Sequence, residues 1–136
     1  MRSLSAALFA LLLCCCSGSD GSPTAPTKMT PQQVDLHIGQ EVTVDGSLHL
    51  RLTSVDNDSR CATGVVCVWA GNAEVVLGVR SGSDQEQKLT LNTNASSPIE
   101  VDFASYHIKL MVLSPYPKVD TRIDSSQYVA TLLVTR

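Results

Sequence analysis

The sequence predicts an all-β domain, an antiparallel β-sandwich with a small β-barrel as the alternative, carrying one long loop pinned by a disulfide. Three observations predict it. Apolar side chains recur with period two in short runs, as strands with one buried face require. Clusters of Gly, Asp, Asn, Ser and Pro separate those runs at turn spacing. No stretch between them carries a long helical period, so the crossover helices of a parallel sheet have no place in the chain.

Taken in order, the first two candidates are short, Val34 to Ile38 and Glu41 to Val44, and Asp45-Gly46 then makes a tight turn in which glycine permits positive φ. Ser47 to Val55 sets Leu48, Leu50 and Leu52 on one face against His49, Arg51 and Thr53. Ala73 to Arg80 sets Ala73, Val75, Leu77 and Val79 against Glu74, Val76, Gly78 and Arg80, and Ser81-Gly82-Ser83 turns the chain toward a strand at Gln87 to Asn92. Ile99, Val101 and Phe103 alternate with Glu100 and Asp102. Tyr106, Ile108, Leu110 and Val112 then alternate with His107, Lys109, Met111 and Leu113. Pro115-Tyr116-Pro117 opens a stretch to Gln127 that reads as a passage from one sheet to the other. Tyr128, Ala130, Leu132 and Val134 form the last strand, ending at Arg136. That makes about eight strands. One short helical turn is expected near Thr30 to Val34 or Ile123 to Gln127.

The connection from Asp56 to Asn72 carries the most information within the domain. At about 17 residues it exceeds the 12 to 15 beyond which ordered connections are uncommon and often functional. Cys61 and Cys67 lie inside it, and in an exported chain they pair with each other most simply. A bridge closing so short a loop restricts the unfolded chain by about 2 kcal/mol, so its main effect is local pinning, with Gly64 making the turn inside it. Asp58 is suited to accept backbone N–H bonds in an Asx turn. Arg60 is placed to pair with Asp56 or Asp58, or to stack on Trp69. Trp69, the sole tryptophan, has two readings: a core plug behind the disulfide, or an exposed anchor for a partner. Asp58, Arg60 and Trp69 are therefore the candidate binding-loop residues. Arg60 as a partner contact and Arg60 as a tie within its own loop remain distinct expectations.

Ahead of the domain, Met1-Arg2 precedes an apolar run that ends in Leu11-Leu12-Leu13-Cys14-Cys15-Cys16-Ser17-Gly18. The run is too short to span a bilayer as a helix and reads as the apolar region of a signal peptide. It resembles a bacterial lipoprotein precursor, in which an apolar residue lies three before a cysteine and a small residue directly before it. Cys16, with Leu13 and Cys15 in those places, fits best; Cys15, with Leu12 and Cys14, is the alternative; an ordinary secretory signal is the plain reading. The resemblance implies a diacylglyceryl group on the thiol and a further acyl chain on the freed amine, and two or more chains anchor stably. It also implies sorting to the outer membrane, facing the periplasm, because no Asp follows the cysteine. The domain plan is thus residues 1–16 as signal and lipidated cysteine, 17–30 as a Ser/Gly/Pro/Thr tether reaching roughly 20 to 25 Å, and 31–136 as one β domain.

Asp58-Ser59-Arg60-Cys61, then Cys67, then Trp69-Ala70-Gly71 leading into a strand at Ala73 also resemble a family of small bacterial secreted and lipoprotein domains of uncharacterised function. The resemblance extends to Leu113-Ser114-Pro115-Tyr116-Pro117 and to the strand opened by Tyr128, and it departs at Ala62, where many relatives have proline. It implies a β fold and an envelope address, and brings no catalytic residues.

Composition narrows the function further. The chain carries a net charge of −3, and loss of Arg2 with the signal makes it more acidic, so no basic surface for nucleic acid or anionic lipid is expected. There is no Gly-x-Ser-x-Gly elbow and no His-Glu-x-x-His, and the two mature cysteines are better used on each other than as a nucleophile, so no enzyme is expected. Asp56-Asn57-Asp58 invites a calcium reading. An EF-type loop would need an oxygen ligand where Arg60 stands, glycine at Cys61 and an acid at Cys67. A looser carboxylate site is the residual alternative, and no metal or cofactor is expected. His37, His49 and His107 fall on separate strands and read as surface residues, and the Asn94-Ala95-Ser96 sequon is discounted in a bacterial chain. The function expected is a lipid-anchored, non-catalytic cell-envelope domain that binds another envelope component, a protein or a glycan. The alternatives are an inhibitor of a hydrolase such as a lysozyme or peptidase, and a structural accessory subunit of an envelope complex.

Overall fold

The alternation along the chain resolves into β1 (Gln32–His37), β2 (Glu41–Val44), β3 (Leu48–Asp56), β4 (Glu74–Ser81), β5 (Gln87–Asn92), β6 (Glu100–Phe103), β7 (Tyr106–Ser114) and β8 (Val129–Thr135) in a computed structural model that describes residues 30–136. The signal segment, the lipidation positions Cys15 and Cys16, and the tether as far as residue 29 lie outside the described residues. The strands form two antiparallel four-stranded sheets, β1-β8-β7-β6 and β2-β3-β4-β5, facing each other without closing into a barrel. The sandwich is therefore the fold, and the barrel alternative is set aside.

In β3 and β8 the inward positions are those that period two assigns, whereas β4, expected to be half-buried, is buried on both faces, Val76 and Gly78 included. Leu48, Leu50 and Leu52 of β3, Val75, Leu77 and Val79 of β4, and Ala130, Leu132 and Val134 of β8 are fully buried between the sheets, with Leu36, Val44, Leu91 and Ile108. Each large aliphatic side chain withdrawn from water contributes about 1.5–3 kcal/mol. The Val44↔Leu48 pair closes the β2–β3 hairpin through Asp45 and Gly46, both at positive φ, as the twist of a tight hairpin demands. A short 3-10 turn at Ser125–Gln127 is capped by Asp124, which accepts from the Ser126 N–H while the Gln127 side chain accepts from the Asp124 N–H. The other place expected for a helical turn, Thr30 to Val34, runs into β1.

Two further expectations are corrected. The stretch from Pro115 to Gln127 does not cross between sheets, because β7 and β8 pair directly, from His107↔Thr135 to Ser114↔Val129. Residues 38–40 and 93–99 make the crossings. Alternation in β7 also breaks: the register shifts between Leu110 and Val112, inserting one extra residue opposite β8. A bulge of this kind reverses the faces beyond it, so Leu113 is buried while Val112 is 53% exposed, the opposite of a continuous alternation.

Register also gives the sandwich two distinct ends. At one, the chain enters β1 at Gln32 opposite Val134, Tyr106 hydrogen-bonds Ser47, and Arg136 pairs with Asp45. At the other lie the β3–β4 connection, the 93–99 crossing and the start of β8.

Candidate functional site

The long connection folds first as a two-stranded stem. The Ser59 N–H donates to the Asn72 carbonyl at 2.7 Å, and the Cys61 N–H to the Ala70 carbonyl at 3.1 Å. The Ser59 hydroxyl adds a bond to the same Asn72 carbonyl and accepts from the Asn72 N–H. The stem strands approach so closely at Gly71 that a Cβ there would sit 1.9 Å from the Ser59 carbonyl oxygen, and Gly71 is also at φ +71°. Only glycine fits both demands. Above the stem the Cys61–Cys67 disulfide closes the loop, with the Cα atoms 5.9 Å apart, and the Thr63 N–H donates to the Pro117 carbonyl at 2.9 Å.

Beneath the stem Arg60 is 8% exposed, with four N–H bonds made by its side chain. Its Nε and one terminal nitrogen grip the two oxygens of Asp58 at 2.9 and 2.7 Å, and it donates further to the carbonyls of Leu113 at 2.6 Å and Pro115 at 2.9 Å. The Tyr128 hydroxyl donates to Asp58 at 2.8 Å. Burial pushes the Asp58 carboxyl up, but the bonds from Arg60 and Tyr128 outweigh it and hold the group below the usual carboxylate value. Burial together with the charge of Asp58 raises the Tyr128 phenol. The Asx bond expected at Asp58 is present, from the Arg60 N–H at 3.2 Å.

Of the three candidate binding-loop residues, the structure thus places two under the loop and one on it. Arg60 pairs with Asp58 rather than Asp56, and its guanidinium lies over the Tyr116 ring, 5.3 Å from the centroid, rather than on Trp69. Trp69 is not a core plug: it is 81% exposed. The reason is that Arg60, Asp58 and Tyr128 already cap the core at this end. Val66 and Val68 are also in water, at 101% and 88%. All the large apolar side chains exposed among the described residues belong either to this tip or to Met111, Val112, Tyr116 and Val119. Ala70 and Gly71, which follow Trp69, line a cleft of about 580 Å³ together with Met111, Val112 and Tyr116.

The far wall of the cleft was not foreseen from the sequence. Asn72 Nδ2 donates to Asn92 at 2.7 Å, its Oδ1 accepts from the N–H groups of Thr93 and Asn94 at 3.1 Å, and Asn94 Nδ2 donates to the Gly71 carbonyl at 3.0 Å. Two stretches far apart in sequence each contribute asparagines, and only the fold brings them together.

His37 ends β1 opposite Val129, and the other two histidines lie apart from the loop. His49 sits with Glu41, Thr43 and Arg80, and His107 with Asp102 at 2.7 Å and Glu100 at 3.5 Å. Among the described residues no group of three or more His, Cys, Asp or Glu is arranged to hold a metal ion, and no helix is long and apolar enough to cross a membrane. The Asp102 hydrogen bond, with help from Glu100, raises the His107 pKa above its usual value. Its contribution to stability is therefore complete below about pH 6.5 and is lost as pH rises through the folded-state value. His107 is well exposed, so the effect is small. Thermal midpoints measured across pH 6 to 8 should fall more for the wild type than for His107→Gln; parallel profiles would contradict the pairing.

Compared with known proteins, the chain matches no family model, no curated protein and no solved structure.

Proposed function

We propose that the chain is a lipid-anchored, non-catalytic β-sandwich domain of the bacterial cell envelope, held in the outer membrane and facing the periplasm, that binds another envelope component through the tip of its pinned loop. The observation that carries this reading is the exposure of Val66, Val68 and Trp69 on a loop fixed from both ends. Each such side chain left in water forgoes about 1.5–3 kcal/mol, a cost that burial against a partner recovers. A loop already held in shape loses less entropy on binding. The absence of charge from Cys61 to Gly71 favours an apolar protein face over a glycan.

The test uses the soluble chain from Ser17 to Arg136, which keeps every strand and the disulfide, for affinity capture from envelope extract. One stoichiometric partner is expected. Trp69→Ala should weaken its retention by about 30-fold, the size of a strong interface anchor, without moving the thermal midpoint. Unchanged retention would reject the tip as the binding surface. For the anchor, mass analysis of the membrane form should find an acylated amino-terminal Cys16, or Cys15, with nothing before it. An unmodified terminus at Ser17 or later would contradict it.

The pre-held, convex loop also supports the hydrolase-inhibitor reading, since such a loop fits an enzyme cleft. Inhibition of a lysozyme or a peptidase by the soluble chain at micromolar concentration would decide for it over an envelope partner.

A further inference from the structure

We infer that the end of the sandwich bearing the pinned loop pairs with the same end of a second copy of this chain, about a two-fold axis, whenever no other partner covers it. The inference goes beyond the proposed function and uses the same tip.

The first support is area. Trp69 and Tyr116 together with the exposed valines and Met111 leave on the order of 700 Å² of apolar side chain in water, carried by the β3–β4 connection, the second half of β7 and the β7–β8 connection. A typical monomer's largest apolar patch is about 300–600 Å², whereas each side of a standard interface buries about 800 Å². The exposed surface is therefore that of one half of an interface.

The second support is shape. A two-fold interface must be complementary to itself, with a projection and a recess on the same face. Here the projection is Val66, Val68 and Trp69, and the recess is the cleft of about 580 Å³ lined by Met111, Val112 and Tyr116. They adjoin through the chain, because Ala70, the residue after Trp69, is already part of the cleft wall. An axis passing beside Ala70 brings each indole over the other copy's cleft.

Charge is the third. Residues near a two-fold axis face their own images, so any charge there meets its like and repels. From Cys61 to Gly71 there is none; Lys109 at the cleft rim lies 3.4 Å from Glu100, and the connection that bears Tyr116 and Val119 carries both signs, with Lys118 bridged to Thr63 and followed by Asp120 and Arg122. Finally, the first described strand begins at the opposite end, where Gln32 pairs with Val134.

Sedimentation equilibrium of the soluble chain from Ser17 to Arg136, between about 1 and 500 µM, tests this. The mass should rise toward twice the monomer's. Trp69→Ala should weaken association by about 30-fold, and Val66→Asp should abolish it by setting like charges across the axis. Val66 is fully exposed, so Val66→Asp leaves the fold intact, and an unchanged thermal midpoint verifies that. A monomer at every concentration overturns the inference, as does a dimer that survives both substitutions. A monomer that still captures an envelope partner overturns only the pairing, and a dimer that captures none overturns only the proposed function. Addition of vesicles of neutral phospholipid should not pull the chain down; binding to them through Trp69 would make lipid the occupant and also overturn it.

Discussion

Arg60→Ala is expected to lower the stability of the domain by about 3–5 kcal/mol, the cost of breaking one side of a buried ion pair. The size follows from burial: the Arg60 and Asp58 side chains are only 5% and 11% exposed, so the exposed-pair value of 0 to 1 kcal/mol does not apply. Removing the guanidinium strips the carbonyls of Leu113 and Pro115 of a donor and leaves the Asp58 carboxylate with Tyr128 as its remaining side-chain partner. Desolvation, now opposed by less, should raise the Asp58 pKa. In the wild type that pKa is lowered, so its stabilising effect is complete above about pH 4 and is lost as pH falls through the folded-state value. In the variant that acid loss should shrink, and it should reverse once the folded-state pKa exceeds the unfolded one, so the deficit against wild type narrows as pH falls. Urea unfolding at pH 7 and pH 3 measures both. Arg60→Ala combined with Asp58→Asn should recover part of the loss, because no unpaired charge then remains. A loss below about 1 kcal/mol would show that the pair is solvated after all.

Gly71→Ala should be nearly as costly for a different reason. Left-handed backbone costs a non-glycine residue about 1–2 kcal/mol. The new methyl would also lie 1.9 Å from the Ser59 carbonyl oxygen and 2.8 Å from the Arg60 Cα, both backbone, so no side-chain movement relieves it. The stem must part, giving up the Ser59–Asn72 and Cys61–Ala70 bonds at about 1 kcal/mol each. Gly64 supplies the control: it too is at positive φ, +92°, but a Cβ there meets open space. Gly64→Ala should therefore show the backbone strain alone. Equal destabilisation of the two variants would rule out the close approach, and amide exchange at Cys61 reads the stem directly, slow in Gly64→Ala and fast in Gly71→Ala.

How far the sequence could be read differs from element to element. In β3, β4 and β8 the side-chain period is a local property of the chain, and Leu48 to Leu52, Val75 to Val79 and Ala130 to Val134 point inward as alternation requires. At Met111 the same reasoning fails, because a bulge is decided by the partner strand, and nothing in Leu110-Met111-Val112-Leu113 marks where the register slips. Pairing of β7 with β8 was hidden for a similar reason: a long connection containing prolines has no local mark of whether it crosses between sheets. In the loop, Cys61, Cys67 and the Asx turn at Asp58 were legible because each acts within a few residues. Arg60 and Trp69 were not, since their burial depends on which of two large side chains the distant Leu113, Pro115 and Tyr128 receive. The arginine occupies that place and the indole is left outside. The asparagines at 72, 92 and 94 carry no local signal at all.

Trp69 has a practical consequence for how this protein is observed. It is the only indole in the chain and is already surrounded by water when the domain is folded. Its emission should therefore lie at long wavelength in the native state and move little when the core melts, so a denaturation curve followed by tryptophan fluorescence would be nearly flat for a protein that is fully unfolding. Far-ultraviolet dichroism, or the environments of the buried Tyr106 and Tyr128, would follow the transition instead. The optical silence toward unfolding becomes an advantage elsewhere: a blue shift in this protein's emission reports that something has covered the indole, and is nearly insensitive to the state of the core.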